Sequence, residues 1–505
     1  MNSAPDRPDD RAASHGETVQ AGGLPDWKVA DLPAPPPYRF GGAFRAVLGP
    51  GIIMLGASIG SGEWLLGPAL TARYGGSLLW IATLAVPLQM LVNTEATRYT
   101  IYTGEPIFSG FMRCKPGSRF WAFFYLGIDV IGMWPAWAAT AATALAAVLL
   151  GKMPTAENEG LVRSLAYMTF FACLFICLFG GKVYNALEKG ELLMVVWIIG
   201  YLVLIDLFLV PPRVWWTTLK GFLSFGQLPK GDAGVDWLLL GAFAAYAGSG
   251  GLGNLMVSNY ARDKGWGMSS LVGSIPSLIG GKNVTLSHSG AVFPITERNV
   301  SRFREWWKYN RFEQYYIWMG GCFLGLALPA MLTLAFVPAG QVIDQWSAAA
   351  FQAEGIAATT GRPIFWHLTL ICGFWVLFST QLAAVDSVPR RYTDIIWTGF
   401  ASARRLREAD AKWIYYGVLT VYVLWGVVAL YLAPPFLMIL VSATIAGYIL
   451  VITPLHLLYV NRRFLPKEIR PPMWRQVGLV LCSLFYGWFG TMTLIHRVIL
   501  PLLAR

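Results

Sequence analysis

Residues 49–75 read GPGIIMLGASIGSGEWLLGPALTARYG, a run apolar enough to cross a membrane but interrupted at its centre by Gly60-Ser61-Gly62-Glu63. In hydrocarbon every backbone N–H and C=O has to find a partner within its own segment, so a turn of glycines and a carboxylate continues a helix poorly. Opened backbone at that depth is tolerated only beside a cavity. The stretch therefore predicts a broken transmembrane helix whose freed backbone groups, with Glu63, face a solute path.

The rest of the chain fits a scaffold for such a path. Of 505 residues, 55% are hydrophobic and only 13% charged, too apolar for a soluble chain of this length. The net charge of +11 raises the question of a nucleic-acid partner. The Lys and Arg residues, however, fall in short segments between apolar runs, which is the pattern of membrane topology, so no nucleic acid is expected. Six cysteines are scattered (Cys114, Cys173, Cys177, Cys322, Cys372, Cys482), five of them within apolar runs, and read as small buried hydrophobes. No cofactor is expected, and no GxxxxGK[ST] motif points to an ATP-driven pump.

Residues 1–40 are a different material, rich in Asp, Pro, Gly and Ala and ending in Pro33-Ala-Pro-Pro-Pro37. They predict a disordered cytoplasmic tail, without the charged and apolar regions of a cleavable signal. Residues 41–505 form one transmembrane domain. About eleven spans are expected, near 44–72, 76–103, 119–150, 161–181, 185–210, 236–260, 313–337, 363–388, 412–433, 435–460 and 475–497. With the N-terminus inside, the inside loops hold Arg113, Lys115 and Arg119, then Lys182 and Lys189, then the basic stretches 262–311, 390–412 and 462–475. The outside loops are poorer; 338–361 has no Lys or Arg. This is the positive-inside pattern, and it fits a multi-pass protein of the inner membrane, expected as a monomer.

The sixth span, residues 241–265, reads GAFAAYAGSGGLGNLMVSNYARDKG and is broken in the same manner at Gly248 to Asn254. Both breaks have Gly-x-Gly followed by a polar residue (Glu63, Asn254), a helical stretch, then Ala-Arg (Ala72-Arg73, Ala261-Arg262). The second lies five spans after the first, and an odd offset inverts the second copy. Matched interruptions in two inverted halves point to a transporter site at the membrane midplane. The plainer reading is that the glycines only let helices pack closely.

The run GPGIIMLGASIGSGEWLLGPALTARYGGSLLW (residues 49–80), with the later Thr103-Gly104, resembles the first two spans of the NRAMP family of proton-coupled divalent-metal transporters. The similarity lies in the Gly-Pro start, the Ala-Arg-Tyr-Gly turn and the Ser-Leu-Leu-Trp start of the second span. It continues more weakly through Glu188-Lys-Gly-Glu191 to Pro454-Leu455 and covers most of the apolar chain. It implies an all-α, LeuT-like 5+5 inverted repeat: repeat one at about 44–210, repeat two at about 236–460, and an extra helix at about 475–497. The metal motifs depart from the family. Where the family has Asp-Pro-Gly-Asn, this chain has Gly60-Ser61-Gly62-Glu63; where it has Met-Pro-His, this chain has the glycine-rich Ala247 to Gly253. Asp129 falls near one acidic position of the family, and Ala136 and Ala139 stand near others. The resemblance thus implies the fold, and not manganese or iron as cargo.

The chemistry then rests on the residues present. A carboxylate within a span costs about 2.5–3.5 kcal/mol on insertion scales, so Glu63 calls for a partner or water. Beside opened carbonyls it would form a hard metal site for Mg²⁺, Ca²⁺, Mn²⁺ or Na⁺. It could instead carry a proton, or form a structural ion pair. Substrate or ion contacts are expected from Gly60, Ser61, Gly62 and Glu63 and from Ala247, Gly248, Ser249 and Asn254. Asp129 and Asp386 are expected on a coupling path, with oxygens from Ser379, Thr380, Gln381 and Ser387; Arg390, at i+4, offers Asp386 a plain ion pair. Glu95 with Arg98, and Glu188 with Glu191, read as boundary or gate pairs. His288, His367, His456 and His496 stand singly and His15 lies in the tail, so a histidine metal site is not expected. Residues 269–312 form a long inside loop: an apolar part, 271–281, able to cap the vestibule, and Arg298 to Arg311 with Trp306 and Trp307 as an interfacial amphipathic helix.

These features predict an ion-coupled secondary transporter carrying a hard divalent cation. A LeuT-like carrier of a small organic solute is the alternative, its carboxylate held by helix N-termini. A non-transporting receptor is a third reading; no clustered nucleophile, base and metal set supports an enzyme.

Overall fold

The computed structural model describes residues 18–20, 22–38, 48–179, 183–229, 234–274 and 286–503. All eleven expected segments are helical. Span 1 is Pro50–Ser58 and Gly67–Tyr74, joined through a wide turn at Ser61–Leu66. Span 2 is Trp80–Thr103 and span 3 is Ser118–Ile131 with Ala136–Leu150. Spans 4 and 5 are Glu159–Phe179 and Val183–Leu209, and span 6 is Trp237–Tyr246 with Gly251–Asp263. Spans 7 to 11 are Gly320–Phe336, Pro363–Gly399, Ala411–Leu432, Pro435–Phe464 and Met473–Leu494.

Among the described residues eight helices are long and apolar enough to cross a membrane, and a bent pair, 50–78 with 80–103, makes a ninth. The chain is a multi-pass membrane protein. Spans 1, 2 and 6 do not qualify singly because their middles carry the breaks or a polar series such as Gln89, Asn93, Thr94, Glu95 and Arg98.

Three expectations are corrected. Span 3 is not one helix over 119–150: Gly132-Met133-Trp134-Pro135 interrupts it, and Pro135, which has no N–H to give the helix, starts its second half. Residues 1–17 lie outside the described residues, but 22–38 are no disordered tail. Trp27 and Leu32 are buried, Trp27–Val29 pairs in parallel with Ala291–Val292, and the Trp27 indole donates to Glu105 Oε1 at 3.0 Å. A segment low in apolar residues orders here because its few large side chains enter a pocket prepared by the loops.

The third correction concerns residues 297–311. They do form a helix, Glu297–Arg311, but its apolar face does not rest on lipid. Phe303, Trp306 and Tyr309 are buried, Trp306 Nε1 donates to the Pro33 carbonyl at 2.9 Å, and the Tyr309 hydroxyl donates to that of Pro36 at 2.9 Å. The helix grips the N-terminal strap. Residues 275–285, which take in most of the apolar part of that loop, lie outside the described residues, as do the side chains of Glu188 and Glu191.

Candidate functional site

The two breaks meet. Ser58 Oγ and Ser249 Oγ are 2.7 Å apart, and Trp318 Nε1 of the segment leading into span 7 donates to Ser58 Oγ at 2.9 Å. Gly62 allows this approach: a methyl group there would collide with the Tyr246 carbonyl, and one at Gly60 would collide with the Thr380 hydroxyl. Only glycine lets the opened backbone of span 1 lie directly on spans 6 and 8.

The first break keeps little free backbone. The Gly60 carbonyl accepts from Trp64 N–H at 2.9 Å, and the Ile59 carbonyl from the Thr380 hydroxyl at 3.3 Å. Glu63 is fully buried; its Oε2 accepts from Gly60 N–H at 3.0 Å, and its Oε1 has no partner among the described residues. Its side chain lies against Gly325 of span 7. No Arg or Lys pairs with it among the described residues, so the structural ion pair is not formed.

The second break is held by Gln89 of span 2. Its oxygen accepts from Gly250 N–H at 3.2 Å; its nitrogen donates to the Ala245 carbonyl at 3.0 Å and to the Tyr486 hydroxyl at 2.6 Å. A single amide thus pairs groups that the missing helical turn leaves over. The half-helix Gly251–Asp263 starts at Gly250, which has no side chain to cap its first N–H groups.

A cavity of about 90 Å³ opens beside this uncapped end, lined from spans 1, 3, 6, 8, 9 and 10. Water-sized voids are several-fold smaller, so it has room for a small ligand. Its walls are aromatic and small: Trp134, Trp137, Tyr246, Tyr260 and Tyr422, with Gly250, Gly251 and Gly253 at the helix start and Ser249, Thr380 and Ser387 as hydroxyls. Trp137 Nε1 has no partner among the described residues. On the wall toward the basic loops Arg391 pairs with Asp129 at 2.7 Å, so the cavity's one carboxylate is neutralised.

Of the residues expected at the site or on the coupling path, Ser249, Asp129, Thr380 and Ser387 line the cavity. Gly60, Ser61, Gly62, Glu63, Ala247, Gly248 and Asn254 do not. The Asn254 amide faces span 2, within 2.9 Å of that of Asn93. Asp386 is buried in an ion network instead: Arg390 Nε donates to it at 2.7 Å and the Tyr415 hydroxyl at 3.2 Å, while Arg390 also pairs with Asp263 and Arg262 with Asp394. Glu95 bonds Arg98 at 2.6 Å and, beyond the sequence reading, Arg475 of span 11 at 2.9 Å. Among the described residues no group of three or more His, Cys, Asp and Glu side chains is placed to hold a metal ion.

Sequence reasoning missed Gln89, the span-3 break with its tryptophans, Arg391, and Asp206 of span 5, whose carboxylate is buried with neither oxygen paired among the described residues. The available signals were a polar side chain alone in an apolar run for Asp206, and for Gln89 the start of the polar series in span 2.

No protein-family profile matches the chain, and no curated protein matches it by sequence. Solved structures do share its fold. A crystal structure of a single-residue mutant of the Eremococcus coleocola manganese transporter superposes with a TM-score of 0.65 at 14% identity, covering 92% of this chain and 90% of that one. Another of that transporter, in complex with an aromatic bis-isothiourea substituted compound, gives 0.61 at 14% identity, with 94% and 91% covered. The inverted-repeat fold implied by the NRAMP resemblance is the fold observed.

Proposed function

We propose that this chain is a secondary transporter of a small organic solute with an aromatic or apolar body and an anionic end, bound between the two broken helices. One observation carries the reading: the cavity at the breaks is an aromatic cage at the uncapped start of the half-helix Gly251–Asp263, and its only carboxylate is already spent on Arg391. Free N–H groups and the positive end of the helix dipole suit a carboxylate, and the aromatic walls suit the remainder of the molecule. The Asp129–Arg391 pair closes the cavity toward the basic face, taken as cytoplasmic, and opens in transport.

Divalent-cation transport, by Mg²⁺ or Mn²⁺, is the second reading. It draws on the fold shared with a manganese transporter and on the unpartnered, buried Oε1 of Glu63. The geometry favours it less, because Glu63 stands outside the cavity and the break carbonyls near it are already bonded. In the organic-solute reading Glu63 is where a coupling proton or Na⁺ resides. Binding calorimetry of the purified protein separates the two. Heat with phenylalanine or phenylacetate, lost in Trp137→Ala, is the expected result; heat with Mn²⁺ or Mg²⁺ alone, lost in Glu63→Gln, would establish the second reading instead.

A further inference from the structure

A second cavity, of about 510 Å³, lies at the basic end of the bundle between the helix Glu297–Arg311, the foot of span 2 and the start of span 11. Its lining includes four arginines, Arg98, Arg304, Arg311 and Arg475, with Trp307 and Trp474. Trp307 is stacked by both inner arginines, Arg98 at 3.9 Å and Arg475 at 5.0 Å from the ring. Those two are also tied to Glu95 beneath the floor. Arg304 and Arg311 are exposed at the rim and make no ion pair among the described residues. One acid, Glu468, shares the rim; four arginines against Glu468 and Glu95 leave two positive charges in excess.

What lies next to the pocket identifies the ligand. Met473, Trp474, Val477, Leu481 and Leu484 run down the outer face of span 11 as exposed apolar side chains, and Tyr316, next to the lining residue Tyr315, is 73% exposed. Such a stripe in a membrane protein faces acyl chains, and tryptophans at its end mark headgroup depth. A basic, tryptophan-flanked recess opening onto a lipid-facing groove matches a molecule with a phosphate head and hydrocarbon tails. We propose that this pocket is a specific site for an anionic phospholipid, its phosphate between Arg304 and Arg311 and its acyl chains along span 11. A free phosphate ester shares the head chemistry but leaves the groove unused.

The proposal is tested by native mass spectrometry of the full-length protein in detergent, with phosphatidylglycerol, phosphatidylcholine or glycerol 3-phosphate added. Phosphatidylglycerol is expected to be retained and the other two lost. Retention should fall by roughly tenfold or more in Arg304→Gln/Arg311→Gln, the scale of two basic side chains at an anionic surface, and persist in Arg405→Gln/Arg462→Gln. Glu468→Gln, which removes the rim acid, should strengthen it. Equal retention of phosphatidylcholine, undiminished retention in the Arg304/Arg311 variant, or retention of glycerol 3-phosphate at the same level would overturn it.

Discussion

Ser58 and Ser249, 191 positions apart in the chain, meet hydroxyl to hydroxyl at 2.7 Å; Ser58 ends its helix, and Ser249 stands in the opened segment between Tyr246 and Gly251. Two segments that each lose a turn of helix would be unstable alone in a membrane. Placed against one another, with Gln89, Thr380 and Trp318 around them, they return most of the lost hydrogen bonds and leave the start of Gly251–Asp263 facing the cavity.

The closeness of the two backbones at Gly62 gives the first expectation. A methyl group at Gly62 collides with the Tyr246 carbonyl, which is backbone and cannot rotate away. Gly62→Ala should therefore destabilise the protein by about 1–3 kcal/mol, the usual scale of overpacking, or more. Thermal unfolding in detergent measures this, with Gly253→Ala as a control, since a methyl group there meets only the Ser249 Cβ at 3.7 Å. Equal stability of the two variants would contradict the close approach.

Gln89 offers a separate test of how the second break is held. Gln89→Leu keeps the volume but leaves Gly250 N–H and the Ala245 carbonyl without their partner, a loss of about 1–3 kcal/mol for buried groups left unpaired. Accelerated hydrogen exchange should appear first at residues 245–251. Unchanged exchange there would show that the break does not depend on this amide.

The Asp129–Arg391 pair should behave as a buried ion pair. Removing one member, as in Asp129→Asn or Arg391→Met, should cost about 3–5 kcal/mol because the other charge is stranded, while the double variant should recover part of it. A double-mutant cycle on unfolding midpoints reads the coupling directly. Additive losses would mean that the two side chains do not act on each other.

Acid should loosen the N-terminal strap. Burial pushes the Glu105 carboxyl up, but the Arg113 guanidinium beside it, with bonds from Tyr99 and Gly290 N–H, outweighs burial and holds it below the usual carboxylate range. A carboxylate depressed in the folded state adds stability above its unfolded pKa and loses it as pH falls through the lower folded value. Trp27 emission, reporting on the ring bonded to Glu105, should thus be constant at neutral pH and change only under strong acidification. Glu105→Gln should release the strap at neutral pH. A transition near neutral pH in the wild type would contradict this origin.

The fold was legible because a broken membrane helix has a strong local signature: glycines and one polar residue at the centre of an apolar run, repeated an odd number of spans later. That pattern located the second break at Gly248 to Asn254, but of the contacts expected from it only Ser249 lines the cavity. Where Glu63 points did not follow from it, since a side chain in the wide turn of the break can face either the cavity or span 7, and Gly325 makes room for it on span 7. Asp386 shows the same limit: the Arg390 spacing offered an ion pair, and packing against Asp263 and Tyr415 made it part of a network. The tryptophan cage was hidden because Trp134 lies within, and Trp137 just after, a break written as Gly-Met-Trp-Pro inside a long apolar run that reads as one helix. The strap was hidden for the opposite reason, its few large residues being diluted among prolines and acids.

Uptake into proteoliposomes tests the proposed cargo most directly, with labelled phenylalanine or phenylacetate and with Mn²⁺ in parallel, for the wild type, Trp137→Ala and Glu63→Gln. The expected result is uptake of an aromatic carboxylate that Trp137→Ala abolishes and Glu63→Gln uncouples from the ion gradient, with no Mn²⁺ accumulation. Mn²⁺ accumulation that depends on Glu63 and is indifferent to Trp137, with no organic uptake, would contradict it.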